Sequence, residues 1–209
     1  PNLFDRTFRI AGTAMLAATL LSVATFFTPT LQTVAFWTCT LFTFGVAVWR
    51  LRYGVFLVLG ELFLGSFGYL FSTTIHGFSF SLRLGMFAAI MAAWLVHAAR
   101  TRRIRALQSP VFHLLLLWAL IVGIGAVNGA LHGTPPSDIF FDMNGYLYLG
   151  LALPLHEAIT TRRDLEQIFS ILFAAVFVLA IQGLFLVAIF SHHYDSARAL
   201  YRWVRDSRL

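Results

Sequence analysis

The chain has 209 residues, of which 59% are apolar and only 11% charged. Soluble globular domains carry about 45–50% apolar and about 25% charged residues, so the excess here must face something other than water. The net charge is +6 and every basic residue is Arg, which excludes lysine-amine chemistry such as a retinal Schiff base. The Arg residues sit at the ends of apolar runs, a pattern that points to membrane orientation and lipid headgroups rather than to nucleic acid. Cys39 is the only cysteine, so no intrachain disulfide can form.

The chain opens at Pro1 rather than Met, and Pro1 to Arg9 does not look like the start of a signal peptide. The sequence therefore reads as a portion of a longer protein. The first apolar run is Ile10 to Phe27, closed by Thr28-Pro29-Thr30. The second runs from Leu31 to Trp49 and ends at Arg50-Leu51-Arg52. The third, Tyr53 to Phe71, holds Glu61 near its middle. A polar stretch, Ser72 to Arg83, precedes the fourth run, Leu84 to Ala99. The densest basic patch follows, with Arg100, Arg102, Arg103 and Arg105. Gln108-Ser109-Pro110 then starts a helix, and the fifth run is Val111 to Leu131. A loop with Pro135, Pro136, Asp138 and Asp142 leads to a shorter run, Gly145 to Leu155, interrupted at Pro154. Thr160 to Asp164 separates it from the last run, Ile168 to Phe190.

The long runs match the roughly 17–25 residues that a helix needs to cross a hydrocarbon core. Strict alternation is missing, which argues against membrane strands. The fold expected is all-α: a polytopic bundle of about seven spans over residues 1–190, with an extracytoplasmic amphipathic segment over 191–209. With seven spans, Arg6, Arg9, Arg50, Arg52, Arg100 to Arg105, Arg162 and Arg163 share one side. The positive-inside rule then puts the amino terminus in the cytoplasm and the tail outside. The short sixth run could instead be re-entrant. In the tail, Leu200, Trp203 and Val204 share one helical face and Arg198, Arg202, Arg205 and Asp206 lie elsewhere, as in a helix resting on the outer interface. The preferred reading is that this tail is the start of a larger outer loop.

Glu61 is the most informative single position. An ionisable group inside a span costs about 2.5–3.5 kcal/mol on insertion scales, so it should face the bundle interior. A protonated Glu hydrogen-bonded to a neighbouring helix would be purely structural. Gly60, Gly65, Ser66 and Gly68 around it would allow close helix approach. Arg83 is the exception to the basic bias on the outer side. It could snorkel to the interface, or line an outer phosphate pocket with His76 and Ser81, since the guanidinium fork suits phosphate oxygens. His97 and His113 could face each other near two helix ends, but no second pair accompanies them as in a haem protein. His192-His193 with Asp195 reads as a solvated loop, and no metal site or cofactor is expected. Gly123, Gly125 and Gly129 beside Asn128 read as helix-packing positions.

The stretch Glu61-Leu-Phe-Leu-Gly-Ser-Phe-Gly-Tyr-Leu-Phe71, with Ser79-Phe-Ser-Leu-Arg83, Met86-Phe and Ala93-Trp94, resembles bacterial O-antigen ligase and O-antigen polymerase-like proteins. The resemblance covers Tyr53 onward, through loose motifs. It implies a metal-independent glycosyltransferase of the GT-C type in the bacterial inner membrane. Such an enzyme moves a glycan from an undecaprenyl-pyrophosphate carrier to an acceptor at the outer face. The family's catalytic Arg and His lie in a large outer loop, which would fall mostly beyond Leu209. Arg83, His76, Arg198, Arg202 and Arg205 are then the substrate-binding candidates, and Glu61 is a candidate proton acceptor. Two other readings stay open. One is a non-enzymatic membrane subunit or scaffold in a homo- or hetero-oligomer. The other is a small-solute transporter, although no inverted repeat is evident.

Overall fold

A computed structural model describes residues 4–64, 69–75, 78–102, 105–192 and 194–207, with the backbone alone at 75, 78, 106 and 194–199. The chain is mostly helical, and five helices are long and apolar enough to cross a membrane: α1 (Arg6–Thr25), α2 (Pro29–Trp49), α4 (Leu82–Thr101), α5 (Pro110–Leu131) and α8 (Arg162–His192). Their starts follow local chemistry. The Asp5 carboxylate accepts from the Phe8 amide at 2.7 Å, and the Ser81 hydroxyl from the Leu84 amide at 3.3 Å. Ser109 accepts from the Val111 amide, and Pro110 fills the first turn of α5. Each cap satisfies amides that a helix start leaves without partners.

Two expected runs differ in the structure. α3 covers Leu51–Phe63, and Tyr69 and Leu70 already lie in a turn, so the third run is not one helix to Phe71. Glu61 therefore sits in the last turn of α3 rather than mid-helix. The glycines that follow, Gly65 and Gly68, each weaken a helix by about 1 kcal/mol relative to Ala. The sixth run begins earlier than Gly145. Helix α6 (Pro136–Leu147) passes directly into a 3₁₀ turn (Tyr148–Leu151) and then α7 (Ala152–Ala158).

The polar stretch after α3 forms the strands that the sequence reading lacked. β1 (Ser72–Ile75) pairs antiparallel with β2 (Phe78–Ser81), with Ser72 opposite Ser81 and Ile75 opposite Phe78. The Leu82 amide then donates to the Phe71 carbonyl at 2.9 Å, closing the hairpin against the start of α4.

The packed unit consists of α1 to α4 and α8. Arg52 meets Asp164 at one end and Gly60 faces Ile171 further along, so α3 and α8 run parallel. Gly12 faces Ala174 and Gln182 donates to the Thr19 hydroxyl at 2.7 Å, which aligns α1 with them. Met15, Val55, Val58, Phe71, Ile90 and Val178 form the core where these helices meet. Thr19, Thr25 and Thr43 return their hydroxyls to carbonyls one turn back, which satisfies them within an apolar interior. α5 has no buried residue and rests on α6 and the 3₁₀ turn Arg105–Gln108.

The bundle has two unlike ends. One carries Arg50, Arg52, Arg100 and Arg162. There Asp164 accepts from the Thr160 and Thr161 amides at 3.1 and 2.9 Å and from Arg52 Nη1 at 2.6 Å. Its own amide donates to the Thr161 hydroxyl, a reciprocal cap that starts α8. The other end carries the hairpin and α9 (Tyr194–Ser207). α9 is amphipathic as expected, but its apolar side docks on the bundle. Trp203 is 4% exposed, and its indole N–H donates to the Ser22 hydroxyl at 3.1 Å.

The tightest helix approach is at Gly54. A Cβ there would collide with the Cβ of Ala47, lie 2.8 Å from its Cα and 2.9 Å from Ile90 Cδ1, whereas one at Gly45 would meet nothing. Gly54→Ala should destabilise the detergent-solubilised protein by about 1–3 kcal/mol, read as a fall in Tm. Gly45→Ala should leave Tm unchanged or slightly raised, and equal effects of the two would contradict this packing.

Candidate functional site

At the hairpin end, three elements bring polar groups into an otherwise apolar interior. The last turn of α3 supplies Glu61, which is 8% exposed. The first turn of α4 supplies Arg83, whose Nε donates to Glu61 Oε2 at 3.1 Å. Their side chains are only 6% and 14% exposed, so Arg83 turns inward and does not snorkel to the interface. The 3₁₀ turn supplies Tyr148. Its hydroxyl donates to Asn144 Oδ1 at 3.4 Å, interacts with the Ser81 side chain and lies within the field of Arg83 and Glu61.

The local sequence explains why these groups meet. Ser81 ends β2 and caps α4, which fixes Arg83 one residue into the helix. The bond from Leu82 to Phe71 ties that helix start to the segment following α3. Gly150 leaves room for Phe87 and Met91 against the 3₁₀ turn, and the Tyr148 ring meets Phe87 edge-on at 5.5 Å. A 3₁₀ stretch inside a helical segment is a frequent mark of a functional hinge.

The ion pair is incompletely satisfied. Glu61 Oε1 and Arg83 Nη2 are both buried and have no hydrogen-bond partner among the described residues. A buried charged pair is costly to desolvate unless all its lone pairs and protons are engaged. An open acceptor beside an open donor leaves room in the bonding scheme for a hydroxyl, a water or an anionic oxygen.

The remaining sequence candidates spread out. Arg202 and Arg205 lie exposed on α9, away from the Glu61–Arg83 pair in the bonding network. Arg205 donates to its neighbour Asp206 at 2.7 Å, and that hydrogen bond holds the Asp206 carboxyl below its ordinary range. His76 lies outside the described residues, as do Gly65, Ser66 and Gly68 and the side chain of Arg198. Among the described residues no cluster of three metal-ligating side chains occurs. A groove of about 370 Å³ lies between α5 and α6, lined by Trp118, Gly125, Ile139, Asp142 and Tyr146, with Asp142 the one charged group among its lining residues. Gly129 packs against Ile139, whereas Gly123 and Gly125 face open space.

Tyr148 was not singled out in the sequence. Its signal was a hydroxyl-bearing aromatic in the short, interrupted run. In the sequence Arg52 marks only orientation and Asp164 only a break between apolar runs, although Thr161-x-x-Asp164 carries the spacing of a reciprocal helix cap. Comparison with known protein families, curated proteins and solved structures finds no match.

The ion pair should reveal itself in a double-mutant cycle. Glu61→Gln and Arg83→Gln should each destabilise by about 3 kcal/mol, because each strands its partner in the interior. The double variant should lose clearly less than the sum of the two. Strict additivity in unfolding measurements would show that the two groups do not interact.

Proposed function

We propose that this chain is a multi-pass membrane protein of the O-antigen ligase or polymerase type, handling an undecaprenyl-pyrophosphate-linked glycan at the outer face of a bacterial inner membrane. The observation that supports this reading is the buried Glu61–Arg83 pair, which lies at the hairpin end with one donor and one acceptor unpartnered. In this reading the Arg-rich end faces the cytoplasm with the amino terminus, and α9 lies outside. Seven crossings follow if α3 with its continuation and the segment from Pro136 to Ala158 each traverse the bilayer.

The chemistry would divide between the two charges. The acceptor hydroxyl attacks the anomeric carbon, and its C–O bond forms as the bond to the lipid pyrophosphate breaks. Glu61 takes the hydroxyl proton, and the pyrophosphate leaves on its lipid. Arg83 balances the charge that develops on the leaving oxygens, as a guanidinium does well. Arg202 and Arg205, with Arg198 and His76 from the sequence, would serve the same anionic carrier further out. No metal enters this scheme.

A second reading draws on α5, which exposes Gly123 and Gly125 and buries no residue. A long apolar helix with no buried residue suits contact with another membrane helix, as in a subunit of a homo- or hetero-oligomer.

The intact protein in proteoliposomes, supplied with undecaprenyl-pyrophosphate-linked oligosaccharide and lipid A core, tests the enzymatic reading. Transfer should fall about 100-fold in Glu61→Gln, the loss typical of a general base, and by at least about tenfold in Arg83→Gln. An unchanged rate in Glu61→Gln would remove Glu61 from the chemistry. Absence of transfer by the wild-type protein would leave the subunit reading.

A further inference from the structure

The tail helix and the start of α4 are linked through hydrogen bonds at Ser22, Leu70 and Phe71 and the short chain segments between them. Trp203 of α9 donates its indole N–H to the Ser22 hydroxyl at 3.1 Å, and Ser22 donates to the Leu70 carbonyl at 2.6 Å. Ser22 is fully buried, Leu70 is 2% exposed and Phe71 is fully buried. The Phe71 carbonyl takes the Leu82 amide at 2.9 Å, one residue before Arg83. Within α9 the Ser207 hydroxyl returns to the Trp203 carbonyl at 2.6 Å, so the end of the helix is seated with the indole.

The hold on α9 is narrow. Trp203 and Ser207 are the residues of α9 buried among those whose side chains are described. The opposite side presents Arg202 and Arg205 to the surroundings. α9 itself carries Arg198, Arg202 and Arg205 against Asp195 and Asp206, a net charge of +1 (three Arg less two Asp). A short helix with an aromatic apolar side and a basic polar side is also what binds an anionic lipid interface, through apolar insertion and headgroup attraction. Its apolar side can occupy one of these places at a time.

We propose that α9 is a latch with two resting places: on the bundle, where Trp203 clamps the junction that seats Arg83, and on an anionic lipid surface, reached through Arg202 and Arg205. Docked, it holds Leu70 and Phe71, and through them the start of α4. Released, it loosens that start and the Arg83 position with it. The inference stands on the hydrogen-bond line and the charge of α9, whatever reaction the Glu61–Arg83 pair performs.

Hydrogen–deuterium exchange on the intact protein tests it. In phosphatidylcholine vesicles, Trp203→Ala should raise exchange at 69–75 and 78–86 by at least about tenfold, with 50–54 and 160–165 unchanged. Vesicles of phosphatidylcholine and phosphatidylglycerol in equal parts should produce the same pattern in the wild-type protein. Arg202→Gln with Arg205→Gln should abolish that lipid response while keeping the slow exchange in phosphatidylcholine. Should Trp203→Ala raise exchange everywhere, Trp203→Phe decides, because it keeps an aromatic ring in the same seat while removing the indole N–H with its five-membered ring. Faster exchange confined to 194–207 in either variant would overturn the latch. A lipid response that survives loss of both Arg residues would overturn the second resting place.

Discussion

A polar group in an apolar interior must find its partner within the chain, because water is not there to supply one. This constraint organises the whole bundle. Asp164 answers it with two amides, a reciprocal hydroxyl and Arg52. Ser22 answers it by bonding both Leu70 and Trp203. The threonines fold their hydroxyls back on the preceding turn. Each solution fixes a junction: Asp164 sets where α8 begins relative to α3, and Ser22 sets how the segment after α3 meets α1 and α9. Small residues do the remaining work. Gly54 and Gly85 let α3 and α4 approach α2 more closely than any side chain would allow.

Asp164 gathers several bonds. Among the described residues, by contrast, five buried side-chain atoms meet the constraint only in part: Thr40 Oγ1, Trp94 Nε1 and Gln167 Oε1 belong to neutral groups, and Glu61 Oε1 and Arg83 Nη2 belong to one ion pair. Here a donor and an acceptor stay open within one ion pair, beside Tyr148 on a 3₁₀ turn that breaks a helical segment. Irregular backbone and an incompletely engaged charge in one place are what a site needs and what a purely structural bridge would avoid.

The sequence made the long elements legible because their signals are local. The apolar runs of α1, α2, α4, α5 and α8 announce themselves by length, and Ser109-Pro110 marks the start of α5. Glu61 and Arg83 also stood out singly, each as a charge where none is expected. Their pairing was not legible. They stand 22 positions apart in the chain, across a turn and a hairpin, so no helical period links them. The hairpin itself carried a signal that was overlooked: Phe78-Ser-Phe-Ser81 alternates, and two residues, the second a glycine, separate it from β1. The fate of the apolar side of α9 lay equally out of reach, since an amphipathic pattern reads the same whether it meets lipid or protein.

α5 and α6 have a consequence for how the molecule comes apart. Their turn uses Gly133 at φ 77°, and their mutual contacts are Ile139 on Gly129 and Tyr146 against Trp118. Neither helix buries a residue, so the five-helix unit draws almost none of its cohesion from them. Such a helical pair is a separate cooperative unit at the low end of the stability scale, able to open and close while the rest stays folded. Tyr148 follows directly on α6. An opening of this helical pair would therefore reach directly to Tyr148, which lies within the field of the buried Glu61 and Arg83.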